Sequence, residues 1–463
     1  MNVRSEQLEP HVVTLIVNIE KGDYEADYEA KLRESRKSLS LKGFRPGHVP
    51  MALAQRMLGP RIRLDMVQKK LDEAIQMHLR ENDMLTFSRF LSNAQQMEMD
   101  PEQDGNFEFR LDVGVVPEVP AELLPKTTLF EPEIDDAFIE KGIEDNRSFY
   151  GTEEPCDAVA AGTVLAISLF PVTNGEVQRP EDDKIMRRRV DFDHLSEAGK
   201  SLVLGKKVGD VVEVKELGTL MADAEEQSRI FGHRPSDPYE LGETVQLEIE
   251  TILERKLAEV NAAFFANFVD APEGGSLPED LGELRAMYKE QREHWFTHGA
   301  RLRAGDWFFE QVLKAWDFTV SDEFIGRMLT DAEQPTEDAS VLESHRAAIK
   351  AEGLSMRLFR MVDWDKIDRD DIERYGRFLA SQSVIAACGR MGFPAGFFKT
   401  VNGALRFGFS MFGEKLKPEM EQTQQKYVGV WCAMQQAGVE VKRAPVEEVG
   451  HLMEECYGTE AAE

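Results

Sequence analysis

Cysteine is scarce in this chain: Cys156, Cys388, Cys432 and Cys456 are the only four in 463 residues, and no two form a CxxC pair. A zinc site or a disulfide framework needs more closely spaced thiols, so neither is expected and the thiols read as reduced. Long apolar runs are also missing, since nothing approaches the roughly 20 residues of a membrane span. The opening MNVRSEQLEP has no basic stretch leading into an apolar one, so a cytoplasmic location is expected. Positive charge is in deficit as well, with 55 basic against 85 acidic residues and a formal net charge of -30. Such a surface repels DNA and anionic membrane over most of its area, so any phosphate-facing site has to be local. There is no internal repeat and no sustained heptad register, which argues against a solenoid or a coiled coil.

What is present is a folded composition, 42% hydrophobic and 30% charged. At this length roughly two to four domains are expected. HVVTLIVNI (11–19) reads as a strand, and the stretch from Tyr24 to about Leu41 as a helix through Tyr24, Tyr28, Leu32 and Leu39. After a loop at 42–50, residues 61–81 read as a second helix and NFEFRLDVGVV (106–116) as a half-buried strand. The three prolines of PEVPAELLP (117–125) favour an extended connector. Residues 134–150 look helical; VLAISLFPV, SLVLGKKVGDVVEV and TVQLEIETIL then read as strand-like runs. From about Ala258 the pattern is helical. The expected architecture is multidomain α+β: an α+β domain at 1–117, a linker and helix at 118–150, a mainly β domain at 151–256 and an all-helical domain at 257–463.

One loop concentrates unusual chemistry. Gly43-Phe44-Arg45-Pro46-Gly47-His48-Val49-Pro50 places two glycines and two prolines around a Phe-Arg pair. Proline stiffens such a loop and glycine permits its tight turns, so the tip is presented rather than floppy. Phenylalanine can fill an apolar pocket while arginine offers a planar fork to carboxylate or phosphate. Across residues 31–70, eleven basic residues, Lys42, Arg45 and Arg56 among them, face only Glu34 and Asp65. Basic runs are commonly just solvated helix faces; the loop is what lifts this one above that reading.

The segment GFRPGHVP resembles the ribosome-docking signature of bacterial trigger factors, a Gly-Phe-Arg followed by a basic residue, glycine and Val-Pro. Arg56 in QRMLG is similar to the family's QRYG, and VPEVP to the end of its first domain. The resemblance implies a ribosome-associated chaperone that binds nascent polypeptides at the tunnel exit and prevents misfolding and aggregation. Gly43, Phe44, Arg45, Pro46, Gly47, Lys42 and Arg56 would contact the large ribosomal subunit. Pro46 stands where the family usually has lysine, which removes one positive contact. The family also implies nascent or unfolded polypeptides as partners and a homodimer when free, with no cofactor, membrane or DNA.

In the family the middle domain resembles an FKBP-like prolyl isomerase. Here LVLGKKVGDVVEV (202–214) looks like a contracted form of that fold's sequence, and the family's Ile-Pro-Gly-Phe-Glu segment has no counterpart between Leu204 and Lys206. A degenerate isomerase domain is expected, with no catalytic residue assigned. Phe170, Phe192 and Phe231 could line a pocket, although phenylalanine in a β domain is mostly core.

In the helical region Phe393, Phe397, Phe398, Phe407, Phe409, Met411 and Phe412 gather around glycines with few charges. They read either as a client-contacting tip or as a buried helical hairpin. His294 and His298 stand four apart on a helix, but no third ligand completes a metal site. Two other functions stay open: an active prolyl isomerase with chaperone flanks, and an acidic interaction scaffold independent of ribosomes.

Overall fold

The computed structural model describes every residue except 43, 46–47, 97–99, 101, 103, 180–184, 235–236, 270–275, 394–397, 399 and 458–463, and the side chains of 225 and 267. The chain opens with a hairpin, β1 Asn2–Glu9 and β2 Val12–Ile19. Helices α1 Lys21–Ser38 and α2 Met51–Glu81 follow, then short strands β3 Leu85–Thr86 and β4 Leu91–Ser92 and the long β5 Phe107–Val116. Next come β6 Thr127–Glu133, α3 Asp136–Phe149, β7 Thr152–Pro155, β8 Thr163–Thr173, β9 Glu176–Val177, β10 Met186–Asp191 and α4 Glu197–Val203. The middle of the chain closes with β11 Val211–Val214, α5 Ala224–Phe231, β12 Val245–Lys256 and α6 Ala262–Phe268. The remainder comprises α7 Leu281–Ala315, α8 Asp322–Asp331, α9 Ala339–Arg360, α10 Arg369–Arg390, α11 Val401–Phe412, α12 Lys417–Ala437, β13 Val439–Pro445 and α13 Val446–Tyr457. These elements form two units, residues 1–133 with 294–463, and residues 134–293.

In the first unit the sheet runs β1-β2-β5-β3, with β4 also on β5. β2 is buried on both faces, which is why it reads as a continuous β-branched run instead of an alternation. Its Leu15, Val17 and Ile19 pack with Tyr24, Tyr28 and Leu32 of α1 and Ile62, Val67 and Ile75 of α2. Its Val12 belongs to a second core with Val116, Phe308, Trp316, Phe324 and Leu358. The N-terminal sheet is therefore covered on one face by its own helices and on the other by helices from the C-terminal region. Polar contacts fix this junction. The buried Asp112 carboxylate accepts from the Thr14 hydroxyl at 2.7 Å, the Asn93 amide at 2.7 Å and Arg327 of α8 at 2.7 Å. Arg357 of α9, also buried, donates to the carbonyls of Val116 and Pro117 at 2.5 and 3.0 Å.

The second unit is built on an antiparallel sheet ordered β10-β8-β12-β11, with β7 on β12 and β9 on β8. Inside it Arg188 and Asp237 form a buried ion pair at 2.6 Å. Burial alone would raise the Asp237 pKa, but hydrogen bonds from Arg188 and the Arg234 backbone outweigh it and hold the carboxyl below its ordinary range.

Three sequence expectations need correction. The C-terminal region is mostly helical rather than all-helical, because β13 pairs in parallel with β6, Val439 opposite Thr127. VEVKRAP is exposed except for half-buried Val439 and buried Ala444, so burial imposed no alternation on it. The SLV portion of SLVLGKKVGDVVEV ends helix α4, which Ser196 caps by accepting from the Gly199 N–H at 3.1 Å. Helix α2 starts at Met51, not 61, and carries Pro60 inside it. Pro60 can donate no hydrogen bond to the Arg56 carbonyl, and the Gly59-Pro60 pair accordingly reads as a break. Among the described residues no helix is long and apolar enough to cross a membrane.

Candidate functional site

The loop between α1 and α2 is positioned by a close helix approach. Tyr24, Tyr28 and Leu32 line the buried face of α1 at four-residue spacing. On α2, an ideal Cβ at Gly59 would stand 2.8 Å from the Tyr28 hydroxyl oxygen, so glycine lets the helices approach closely there. The Arg63 guanidinium lies over the Tyr28 ring at 5.3 Å. From this base two backbone hydrogen bonds hold the described residues of the loop. The Phe44 N–H donates to the Leu41 carbonyl at 3.0 Å and the His48 N–H to the Arg45 carbonyl at 2.9 Å. Val49 is then buried, and the Pro50 carbonyl accepts the first bonds of α2, from Leu53 at 3.1 Å and Ala54 at 3.0 Å.

The tip projects as a result. Phe44 is 41% exposed, which is large for an aromatic ring with no polar atom. Arg45, Lys42 and Arg56 are exposed too, and none has a carboxylate in ion-pair range among the described residues. Gly43, Pro46 and Gly47 lie outside the described residues. Elsewhere in the basic stretch several charges are neutralised locally: Lys31 with Glu34 at 2.8 Å, Arg33 with Glu29 at 2.5 Å, Lys70 with Asp27 at 3.2 Å. Lys42, Arg45 and Arg56 have no such partner among the described residues. The sequence reading counted Arg61 only as part of the basic stretch and missed Met57 and Leu64; the three extend the exposed surface along α2. Their i, i+4, i+7 spacing was the available signal, since it makes an apolar and basic stripe on the side away from the core.

The aromatic segment divides. Phe393, Phe398, Phe407 and Phe412 pack half-buried against Val384, Ala387, Cys388, Ala404 and Leu416. The rings of Phe393 and Phe398 lie edge-on to Phe407 at 5.5 and 5.3 Å. Phe409 and Met411 point outward, 58% and 51% exposed, and Phe397 lies outside the described residues. In the middle unit Phe170, Phe192 and Phe231 are all buried, the last two inside the β-domain core. His294 and His298 stack at 6.0 Å, and no group of three His, Cys, Asp or Glu among the described residues could hold a metal ion.

Residues 1–146 match the family model for the bacterial trigger factor protein. The trigger factor of Chlorobaculum tepidum is 26% identical over 196 residues, which is 42% of this chain and 45% of that protein. The trigger factor of Hyphomonas neptunium is 23% identical over 329 residues, 69% of this chain and 68% of its own, and that of Jannaschia is 41% identical over 66 residues, 14% and 15%. The chain spans about half the length of some of the curated relatives it matches, 45% and 56% for the Chlorobaculum tepidum and Chlorobium limicola proteins. A solved structure of the trigger factor chaperone, reported for promiscuous substrate recognition in folding and assembly, aligns over 94% of this chain and 100% of its own at 16% identity and a TM-score of 0.34. Residues 1–146 thus carry the N-terminal domain of the bacterial trigger factor family, and over up to about two thirds of its length the chain is similar to trigger factors.

Proposed function

We propose that this chain is a cytoplasmic chaperone that docks on the large ribosomal subunit beside the exit tunnel and shields nascent or unfolded polypeptides. The observation that carries the reading is the presented Phe44-Arg45 tip. An exposed apolar ring and an arginine stand side by side on the loop, with Lys42 and Arg56 nearby and without an ion-pair carboxylate among the described residues, in a chain of net charge -30. Positive charge left uncompensated where carboxylates abound is suited to a polyanionic partner, and the ring suits an apolar pocket beside it. Phe409 and Met411 supply exposed, adaptable apolar surface of the kind a holding chaperone needs.

The middle unit reads as an FKBP-like domain without isomerase function, because the phenylalanines that would line its pocket are packed away from solvent. In the acidic scaffold reading the basic loop would instead contact an acidic protein partner, and its binding would not depend on ribosomes. A photoreactive phenylalanine analogue at position 44 tests the docking directly. With purified ribosomes it is expected to give adducts with components of the large subunit. Adducts only with the small subunit, or none while the same analogue at position 409 captures an unfolded client, would remove the loop as the docking element.

A further inference from the structure

Between the end of α4 and the start of β11, the second unit exposes four apolar side chains within ten residues: Leu202, Leu204, Val208 and Val211, with Leu204 59% and Val208 55% exposed. A loose loop would turn such side chains inward, but this one is pinned. The Gly205 N–H donates to the Val159 carbonyl at 2.8 Å, and the Val159 N–H returns a bond to the Lys206 carbonyl at 2.8 Å. The Gly209 N–H donates to Ile249 at 2.7 Å, and the Ile249 N–H to Asp210 at 3.0 Å. Gly205 and Gly209 reach these bonds at φ of 73° and 86°, where a side chain would be strained. The apolar surface is thus rigid and held outward.

Its charge is equally specific. Lys206 and Lys207 stand among the apolar side chains, and neither has a carboxylate in ion-pair range among the described residues. The Lys207 backbone N–H donates to the Asp210 carboxylate at 2.9 Å, but the two ammonium groups, without an ion-pair carboxylate among the described residues of a chain with 85 acidic residues, mark a place where an incoming carboxylate is favoured. β11 is moreover the end strand of its sheet, with β12 on one side and no strand on the other among the described residues. Its outer edge offers backbone donors and acceptors to one more strand. We propose that residues 202–211 form a docking surface for an extended polypeptide segment in which apolar and acidic side chains alternate. The inference rests on the chaperone reading, since it gives that activity a charge preference, but it needs no ribosome.

The test is fluorescence anisotropy with the full chain and two fluorescein-labelled peptides of roughly ten residues, one alternating valine with glutamate and one alternating valine with lysine. The glutamate peptide is expected to bind about tenfold more tightly, against the sign of the whole protein's charge. Lys206→Glu/Lys207→Glu should reverse that preference. Leu204→Ser/Val208→Ser should weaken both peptides about tenfold with an unchanged circular dichroism spectrum, because all four positions are on the surface. An unaltered glutamate preference in Lys206→Glu/Lys207→Glu, or unaltered affinities in Leu204→Ser/Val208→Ser, overturns the proposal. So does absence of peptide binding by protein that still suppresses client aggregation, a result that leaves the chaperone reading standing. Self-association that depends on Leu204 and Val208, with no peptide binding, would assign the surface to a second copy of the chain and also overturn it. Protein that neither binds peptide nor suppresses aggregation would count against both readings.

Discussion

Gly429→Ala is expected to destabilise the first unit by about 2–3 kcal/mol, even though alanine is the better helix former by about 1 kcal/mol. Gly429 lies in α12 where that helix meets the backbone of α9. An ideal Cβ there would stand 2.6 Å from the Phe359 nitrogen, 2.8 Å from its Cα and 3.0 Å from the Leu358 carbonyl carbon. Backbone atoms inside a helix cannot move aside as a side-chain end can, so the two helices have to separate. Separation would loosen Leu354, Leu358, Val430, Trp431 and Met434, which belong to the core that also joins Val12 and Val116 of the N-terminal sheet. Gly450→Ala is the control: Gly450 is exposed in α13 with nothing within 4 Å of a built Cβ, so there the propensity gain of about 1 kcal/mol should appear. Urea unfolding followed by tryptophan fluorescence reads both, because Trp295, Trp307, Trp316, Trp364 and Trp431 all lie in this unit. Equal stability of the two variants would show that α9 and α12 do not approach this closely.

Acid should weaken the same unit through one histidine. His298 of α7 is 3% exposed, its ring 5.4 Å from that of Tyr375 and 5.6 Å from that of Phe378, and neither ring nitrogen has a hydrogen-bond partner among the described residues. Burial, followed by the charges of Arg301, His294 and Arg374, holds its pKa down to about 3, from an ordinary value of 6.5. Between those two values the unfolded chain binds the proton and the folded chain does not. Stability from this site is therefore complete above about pH 6.5 and falls as the pH drops, by about 2 kcal/mol at pH 5. His298→Phe keeps the ring and removes the proton site. The difference in stability between wild type and His298→Phe should therefore be nearly constant from pH 7 to 8 and widen by about 2 kcal/mol in favour of the variant at pH 5. A difference that does not change with pH would mean that His298 titrates in the folded protein as it does in the unfolded chain.

The sequence was most readable where burial is two-sided or periodic. β2 announced itself through VVTLIVNI, α1 through Tyr24, Tyr28 and Leu32, and β5 through the alternation of FEFRLDVGVV. β1 was missed because NVRSEQLE is an edge strand, exposed at nearly every position. β13 carried no pattern for the same reason, and its partner β6 lies some 300 residues away, a pairing no local signal encodes. The sharing of one core by Val12, Val116 and helices beyond residue 294 is likewise a long-range packing fact. At the candidate site, the tip chemistry was legible because Phe and Arg beside glycine and proline have few structural uses. Which of the eleven basic residues stay unpaired was not, since that depends on whether Glu29, Asp27 and Glu73 reach them. The aromatic segment between Phe393 and Phe412 also needed coordinates, because composition does not distinguish the four packed rings from the outward Phe409 and Met411.

The most direct test of ribosome docking is co-sedimentation of wild type and Phe44→Ala/Arg45→Ala with purified ribosomes over a salt series. Both substituted side chains are exposed, so the fold should survive their removal. Wild type is expected to pellet with ribosomes and to be released as salt rises, since part of the affinity comes from displaced counterions. The double variant should bind roughly thirtyfold more weakly or worse, the loss expected when an interface anchor is truncated. Equal sedimentation of the two proteins, or none for either at low salt, would contradict docking through this loop.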